Sequence, residues 1–428
     1  MSSTGDPAAF FAEVAAAHPR CFWLDGGGAR EWSGRRSIIG WLDHDDVSLS
    51  YSADRREVTR HSSGRAEVVG DDVFTVLEAE LAAGAPSDQW FGYFGYACRP
   101  DLPARPDPLL PDAVWMRARQ VRLFEHEPSR GSGRAPDRGR STVPGQPTPT
   151  PTPTLDYRAA FDRVQEHLHA GNSYEVNLTH RLDATPTSSE ADPVSTYLRL
   201  RALNPAPYAG FLQHDVSDAR AWLLSSSPER YAHVSAERTI ETKPIKGTTA
   251  RGSTPEDDER ERHSLATDPR FTSENLMIVD LLRNDLAQVC EVGSVVVPSL
   301  MTVESYTTVH QLVSTVRGRL RDDVSTVAAL RALFPPGSMT GAPKLRTMQI
   351  LEEVEVTPRG VYAGAFGWLA GDGRADLGVV IRSLMSAGPV GRDWRYRLGT
   401  GGGITVQSDV EAEWAEAVLK AERILGSL

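Results

Sequence analysis

Cysteine is nearly missing, with three in 428 residues. Cys21, Cys98 and Cys290 are too few and too far apart for a disulfide framework or a zinc site, so the chain is expected to work reduced, in the cytoplasm. Long apolar runs are missing as well. No stretch approaches the roughly 18 apolar residues of a membrane span. The amino terminus, MSSTGDPAAFFAEVAAAHPR, has neither a basic n-region nor a long apolar h-region. Neither a membrane partner nor processing is expected. Positive charge is in deficit, 46 Lys and Arg against 57 Asp and Glu, for a net charge of −11. A surface of that sign repels phosphate backbones, which argues against a nucleic-acid partner.

What remains is an ordinary globular composition, 40% hydrophobic and 24% charged. At roughly 100–200 residues per domain, the length fits two or three domains or one large interleaved unit. The clearest break is residues 127–154, EPSRGSGRAPDRGRSTVPGQPTPTPTPT, whose alternate prolines favour polyproline II and cannot build a core. We read 1–126 as one region, 127–154 as a linker and 155–428 as a second region. Aromatic and β-branched stretches such as FWLD, SIIGWL and WFGYFGYA make 22–125 sheet-rich. After the linker, Tyr157, Phe161, Val164 and Leu168 share one helical face, with Asp156 as a candidate N-cap and Gly171 past the end. Strand patterns (VNLTHRL, AWLLSSS) then mix with helical ones at 274–285, 327–334, 344–353 and 410–425. Their hairpin-like spacing predicts an α+β fold with antiparallel sheets rather than a doubly wound one.

Several stretches are too polar and glycine-rich to be plain core: SYEVNLTHR (173–181), SSSPER (225–230), ETKPIKGTTARG (241–252), ENLMIVDLLRND (274–285) and GTGGGITVQSDVEAEWAE (399–416). With SYTTVHQLVST, FPPGSMTGAPK and RGVYAGAFGWL, they resemble in order the chorismate-utilising enzymes, the family of anthranilate synthase component I, aminodeoxychorismate synthase component I and the isochorismate and salicylate synthases. The resemblance runs from about residue 157 to 425 and extends more weakly over the first 126 residues. It implies two stacked, mainly antiparallel sheets flanked by helices, with chorismate as substrate.

Glu413 and Glu416 sit three apart on one helix face, and Glu274 opens another helix. Their spacing alone also describes solvated surface acids. The resemblance makes Glu274 and Glu416 ligands of Mg²⁺, with Glu413 behind them, since a hard cation takes one or two carboxylates plus substrate and water. Glycines at 401–403 lack Cβ and can bring backbone N–H groups close to a carboxylate. Arg382, in the strand-like VVIRSL, has the fork geometry for a second carboxylate. The resemblance places Tyr362 in the same pocket, and puts Thr248, Thr340 and Gly341 at the substrate. It also makes Glu229 of SSSPER the general acid for the C4 hydroxyl and sets His310 beside that oxygen.

Lys246 separates the branches of the family. Desolvated against Pro244 and Ile245, it could lose its proton and become a nucleophile, although a solvated loop lysine has the same local sequence. Aminodeoxychorismate synthases carry PIKGT here, as this chain does, and anthranilate synthases carry PIAGT. The resemblance therefore implies attack of Lys246 on ring C2, loss of the C4 hydroxyl, then ammonia at C4. Anthranilate synthase component I is the alternative. The lysine base of isochorismate and salicylate synthases is replaced by Glu175. Neither YACRP around Cys98 nor QVCEV around Cys290 fits a glutaminase elbow, so ammonia is expected from a separate glutamine amidotransferase subunit. The segment at 337–344 is not a phosphate-binding GxxxxGK[ST] loop. FWLDG at 22–26 replaces the segment that shapes the tryptophan site of anthranilate synthases, which makes feedback by tryptophan unexpected.

Overall fold

The computed structural model describes residues 5–26, 36–126, 152–186, 192–306 and 309–428. Two large sheets of antiparallel pairs face each other, as the α+β reading requires. The nine-stranded sheet runs in the order Gly341–Ala342, Glu175–Ala184, Tyr396–Ile404, Ser383–Ser386, Ala221–Ser227, Tyr208–His214, Arg20–Asp25, Arg36–Trp41 and Gln120–Glu125. The twelve-stranded sheet is centred on Arg230–Val234, Ala375–Val379, Ala365–Ala370, Gln89–Phe94 and Ala113–Arg117. Central strands such as QWFGYF and AVWMR are buried on both faces, which explains their unbroken apolar runs. The main core lies between the sheets, where Phe22 of one stacks on Phe91 of the other at 3.9 Å.

Strands on either side of 127–154 complete both sheets. Arg20–Asp25 pairs with Tyr208–His214, and Gln89–Phe94 pairs with Ala365–Ala370. The division at 127–154 is thus a change of composition and marks no seam between cores; the two regions fold as one interleaved unit. Residues 127–151 lie outside the described residues.

Helices cover the outer face of the nine-stranded sheet. Phe11, Tyr197, Leu200 and Ile424, from Pro7–Ala17, Pro193–Leu203 and Val410–Leu425, pack on Trp23 and Phe211. Tyr157, Phe161, Val164 and Leu168 of Leu155–His169 pack on Val176 and Ile404, the face anticipated from their spacing. The cap of that helix differs from expectation: Thr154 accepts from the Tyr157 amide at 3.2 Å, and Asp156 falls in the first turn. The sheet-rich reading of 22–125 omitted one helix, Val73–Ala83, capped by Asp72. The helix bearing Glu274 starts five residues earlier than read, at Pro269, because Asp268 accepts from the Arg270 amide at 2.8 Å and proline suits the first helical position. Glu274 therefore does not open the helix but lies in its second turn. Among the described residues no helix is long and apolar enough to cross a membrane.

Candidate active site

One cavity of about 350 Å³ gathers most of the polar motifs. Its walls include Glu229, Lys246, Thr248, Glu274, Tyr362, Arg382, Glu413 and Glu416, together with Gly401, Gly402 and Gly403. The glycines belong to Tyr396–Ile404, which pairs with Glu175–Ala184 on one edge. On the other edge it registers with Ser383–Ser386 at Arg397, and among the described residues no strand pairs with the glycine end there. Gly401 turns its carbonyl to Lys420 Nζ at 2.9 Å, and the alternation of an antiparallel pair sends its N–H the same way. A Cβ at Gly402 would stand 3.2 Å from Glu413, and one at Gly403 would meet Glu175 and Lys246. The absent side chains therefore make room for the charged groups.

Lys246 is buried against the equally buried Glu175, Nζ to Oε1. Burial alone would discharge it, but Glu175, Glu274 and Glu229 together hold it well above the ordinary lysine range. Desolvation alone would favour the neutral amine; the surrounding carboxylates oppose it and favour the cation. Glu229 is pushed up to about 7 by burial, against a hydrogen bond from Ser338 and the charge of Lys246. It can hold a proton near neutrality. Glu274 is also pushed up to about 7, by burial first, with Lys246 opposing and Glu175 and Glu413 adding to the rise.

Arg382 is not in a strand, as VVIRSL suggested. It sits between Ala375–Val379 and Ser383–Ser386 with φ +50°, a strained conformation that aims its side chain into the cavity. No ion pair or hydrogen bond to its guanidinium occurs among the described residues, and burial lowers its pKa. A half-buried guanidinium in a cavity wall, without a partner among the described residues, suits an anion. Tyr362 lies over Gly399, backed by the Arg181 guanidinium 5.0 Å from its ring.

Glu413, Glu416 and Glu274 bring only carboxylate oxygens to the cavity wall. Glu416 pairs with Lys420 at 2.8 Å, Glu413 accepts from Ser408 at 2.9 Å, and Arg270 stands 3.8 Å from both acids. Among the described residues no three acidic, His or Cys side chains are close enough to cage an ion. Mg²⁺ seldom needs such a cage, since it keeps waters and takes substrate oxygens, so the residues fit it.

Three anticipated residues stand outside the cavity wall. His310 alternates with Val309 and Gln311, which do line it; its ring meets Ser305 at 2.8 Å and Asp258 at 3.0 Å instead. Thr340 is fully buried and donates to the Gly337 carbonyl, while Gly341 pairs with Val176. The two brace the neighbouring wall residues Ser338 and Met339 and do not face the cavity.

The profile of the family described as chorismate binding enzyme matches residues 19–426. The chain belongs to the chorismate binding enzymes. It is similar to the aminodeoxychorismate synthase of Streptomyces pristinaespiralis, 39% identical over 99% of this chain and 64% of that protein. It is also similar to aminodeoxychorismate synthase component 1 of Escherichia coli (strain K12), 40% identical over 64% of this chain and 57% of that protein. The chain spans less than two thirds of the length of these curated relatives. Anthranilate synthase component I from Streptococcus pneumoniae shares its fold with a TM-score of 0.71, at 25% identity over 92% of each chain.

Within this chorismate binding enzyme, sequence reasoning overlooked Arg270, Lys420 and Arg423 in the cavity wall and the contact of Glu175 with Lys246. Glu413, Glu416, Lys420 and Arg423 follow one another at helical spacing on Val410–Leu425, so a polar stripe would have revealed Lys420 and Arg423. Glu175, an acid at the head of an apolar strand, signalled its burial by context.

Proposed function

We propose that the chain aminates chorismate at C4, acting as component I of an aminodeoxychorismate synthase that makes 4-amino-4-deoxychorismate, precursor of para-aminobenzoate and folate. The observation that carries this reading is Lys246, set by PIKGT in the cavity wall where Glu175, Glu229 and Glu274 converge. Arg382 suits one substrate carboxylate, and the open edge at Gly401 and Gly403 suits the other. Thr248 and Tyr362 complete the wall. Glu229 holds a proton for the C4 hydroxyl, which leaves as water while Lys246 attacks C2 and the ring double bonds shift. Ammonia then adds at C4 and releases the lysine.

Glu274 and Glu416 would hold Mg²⁺, with Glu413 behind them. When bound, the ion supplies charge compensation for the ring carboxylate. His310, Thr340 and Gly341 act from behind the wall. The three cysteines are free, buried and raised in pKa by burial, unlike the thiolate a glutaminase needs. The reading therefore includes a separate glutamine amidotransferase subunit as ammonia source, and the buried free thiols suit a reducing cytoplasm.

Incubation with chorismate, Mg²⁺ and ammonium, followed by mass identification of the product, tests this reading. 4-Amino-4-deoxychorismate without pyruvate is expected. Fluorescent anthranilate with pyruvate would replace the reading by that of an anthranilate synthase.

A further inference from the structure

A lysine that must attack carbon cannot do so while protonated, and the acids around Lys246 favour the proton against the effect of burial. Glu175 reaches it from the strand Glu175–Ala184, Glu274 from the helix Pro269–Ala287, Glu229 from the turn before Arg230–Val234, and Glu416 from Val410–Leu425. Of these only Glu175 is in contact with Nζ. Glu229 is needed in its acid form at C4, and Glu274 and Glu416 would hold Mg²⁺. Glu175 is fully buried, and its second oxygen, Oε2, has no hydrogen-bond partner among the described residues. A buried carboxylate with one oxygen on the nucleophile and the other free is a poor structural anchor, because the unpaired oxygen costs desolvation energy without return. It is a good place to store a proton.

We infer that Glu175 is the base that takes the proton from Lys246 and later returns it. This rests on the reading of Lys246 as nucleophile. In the forward half, an Nζ–H bond breaks and the proton passes to the Glu175 carboxylate. The freed electron pair forms the Nζ–C2 bond, the ring double bonds shift, and the C4–O bond breaks with the proton of Glu229 leaving in water. In the return half, ammonia forms the C4–N bond and the double bonds shift back. The C2–Nζ bond then breaks with its electron pair on nitrogen, which recovers the proton from Glu175. The extra proton on the new C4 ammonium returns to Glu229, so the cycle consumes chorismate and ammonia and yields water and the amine. Gly403 serves this exchange, since a Cβ there would strike both partners.

The test follows formation of the Lys246 adduct by quenched-flow mass spectrometry, in the full chain with chorismate and Mg²⁺ but no ammonium, between pH 6 and 8. The ratio of rates, parent over Glu175→Gln, cancels the titration of Glu229. It is expected to exceed about 100 at pH 6 and to fall about tenfold per pH unit, because the variant must lose its lysine proton to solvent first. A ratio that is large but constant with pH would reduce Glu175 to a positioning residue and overturn the inference; a ratio near one would overturn it as well. Absence of adduct in the parent itself would instead remove the reading of Lys246 and this inference with it. Should Glu175→Gln fail to bind chorismate in equilibrium dialysis, Glu175→Asp takes its place. There a ratio constant with pH supports a carboxylate base, and one that changes tenfold per unit refutes it.

Discussion

Glu229 carries a sign that can be measured. Burial raises it to about 7, so it keeps its proton below that pH and loses it above. A general acid works only when protonated, and at saturating Mg²⁺, which would hold Glu274 ionised, turnover should decline as pH rises through 7. Glu229→Gln should cost at least about 100-fold in kcat while chorismate still binds. A rate that climbs through pH 7 in the parent would reassign the acid. Glu274 gives the complementary test, in stability. Its folded pKa of about 7 lies above the unfolded reference of 4.5, so the folded state binds the proton more tightly. That contribution is complete below 4.5 and is lost as pH rises through 7. In buffer stripped of divalent ions, Glu274→Gln should therefore melt above the parent at pH 8 and level with it at pH 4. A lower melting temperature at pH 8 would mean that the carboxylate is a structural anchor rather than a ligand held in reserve.

At the scale of elements, the glycine strand and the helix after it separate what sequence could reveal from what it could not. The helix Val410–Leu425 was legible because 3.6-residue periodicity survives in Val410, Trp414, Ala417, Ala421 and Ile424. The glycines at 401–403 announced a close approach without saying to what. Only pairing with Glu175–Ala184 shows that Gly403 clears the Lys246–Glu175 pair while Gly401 packs on the backbone of Leu178. The misplacement of His310 has the same origin, since which face of an alternating strand meets the cavity depends on long-range register. Arg382 was misread because a left-handed non-glycine residue leaves no mark in composition. These differences predict different mutant behaviour. Gly403→Ala should melt within a few degrees of the parent, since flexible side-chain ends can yield, yet lose nearly all turnover. Gly401→Ala meets backbone and should lower the melting temperature more. Equal melting with equal activity loss in the two variants would contradict the assigned strand environment.

For the whole molecule, the decisive fact is that a sequence with an obvious compositional break folds as one interleaved pair of sheets. Phe22, Trp90, Phe91, Tyr93, Phe94 and Trp115, all on the amino-terminal side of the break, are fully buried, Phe22 on Phe91 between the sheets and Phe94 on Phe74 of the helix Val73–Ala83. At roughly 1.5–3 kcal/mol for each large buried side chain, their removal forfeits about as much as the whole stability of an ordinary domain, roughly 5–15 kcal/mol. It also bares the edges of Tyr208–His214 and Ala365–Ala370, which now pair with amino-terminal strands. Unpaired edges of that kind template aggregation. The family motifs all lie beyond the break, and a fragment of residues 152–428 would contain every residue assigned to the cavity. The prediction is nevertheless that this fragment, expressed alone, lacks near-ultraviolet circular dichroism and a cooperative thermal transition, and binds no chorismate. Both should appear when residues 1–126 are co-expressed as a separate chain, because the contacts that matter are sheet pairings and core packing rather than the covalent connection. A fragment that melts cooperatively and binds chorismate by itself would show that the catalytic half carries a sufficient core of its own.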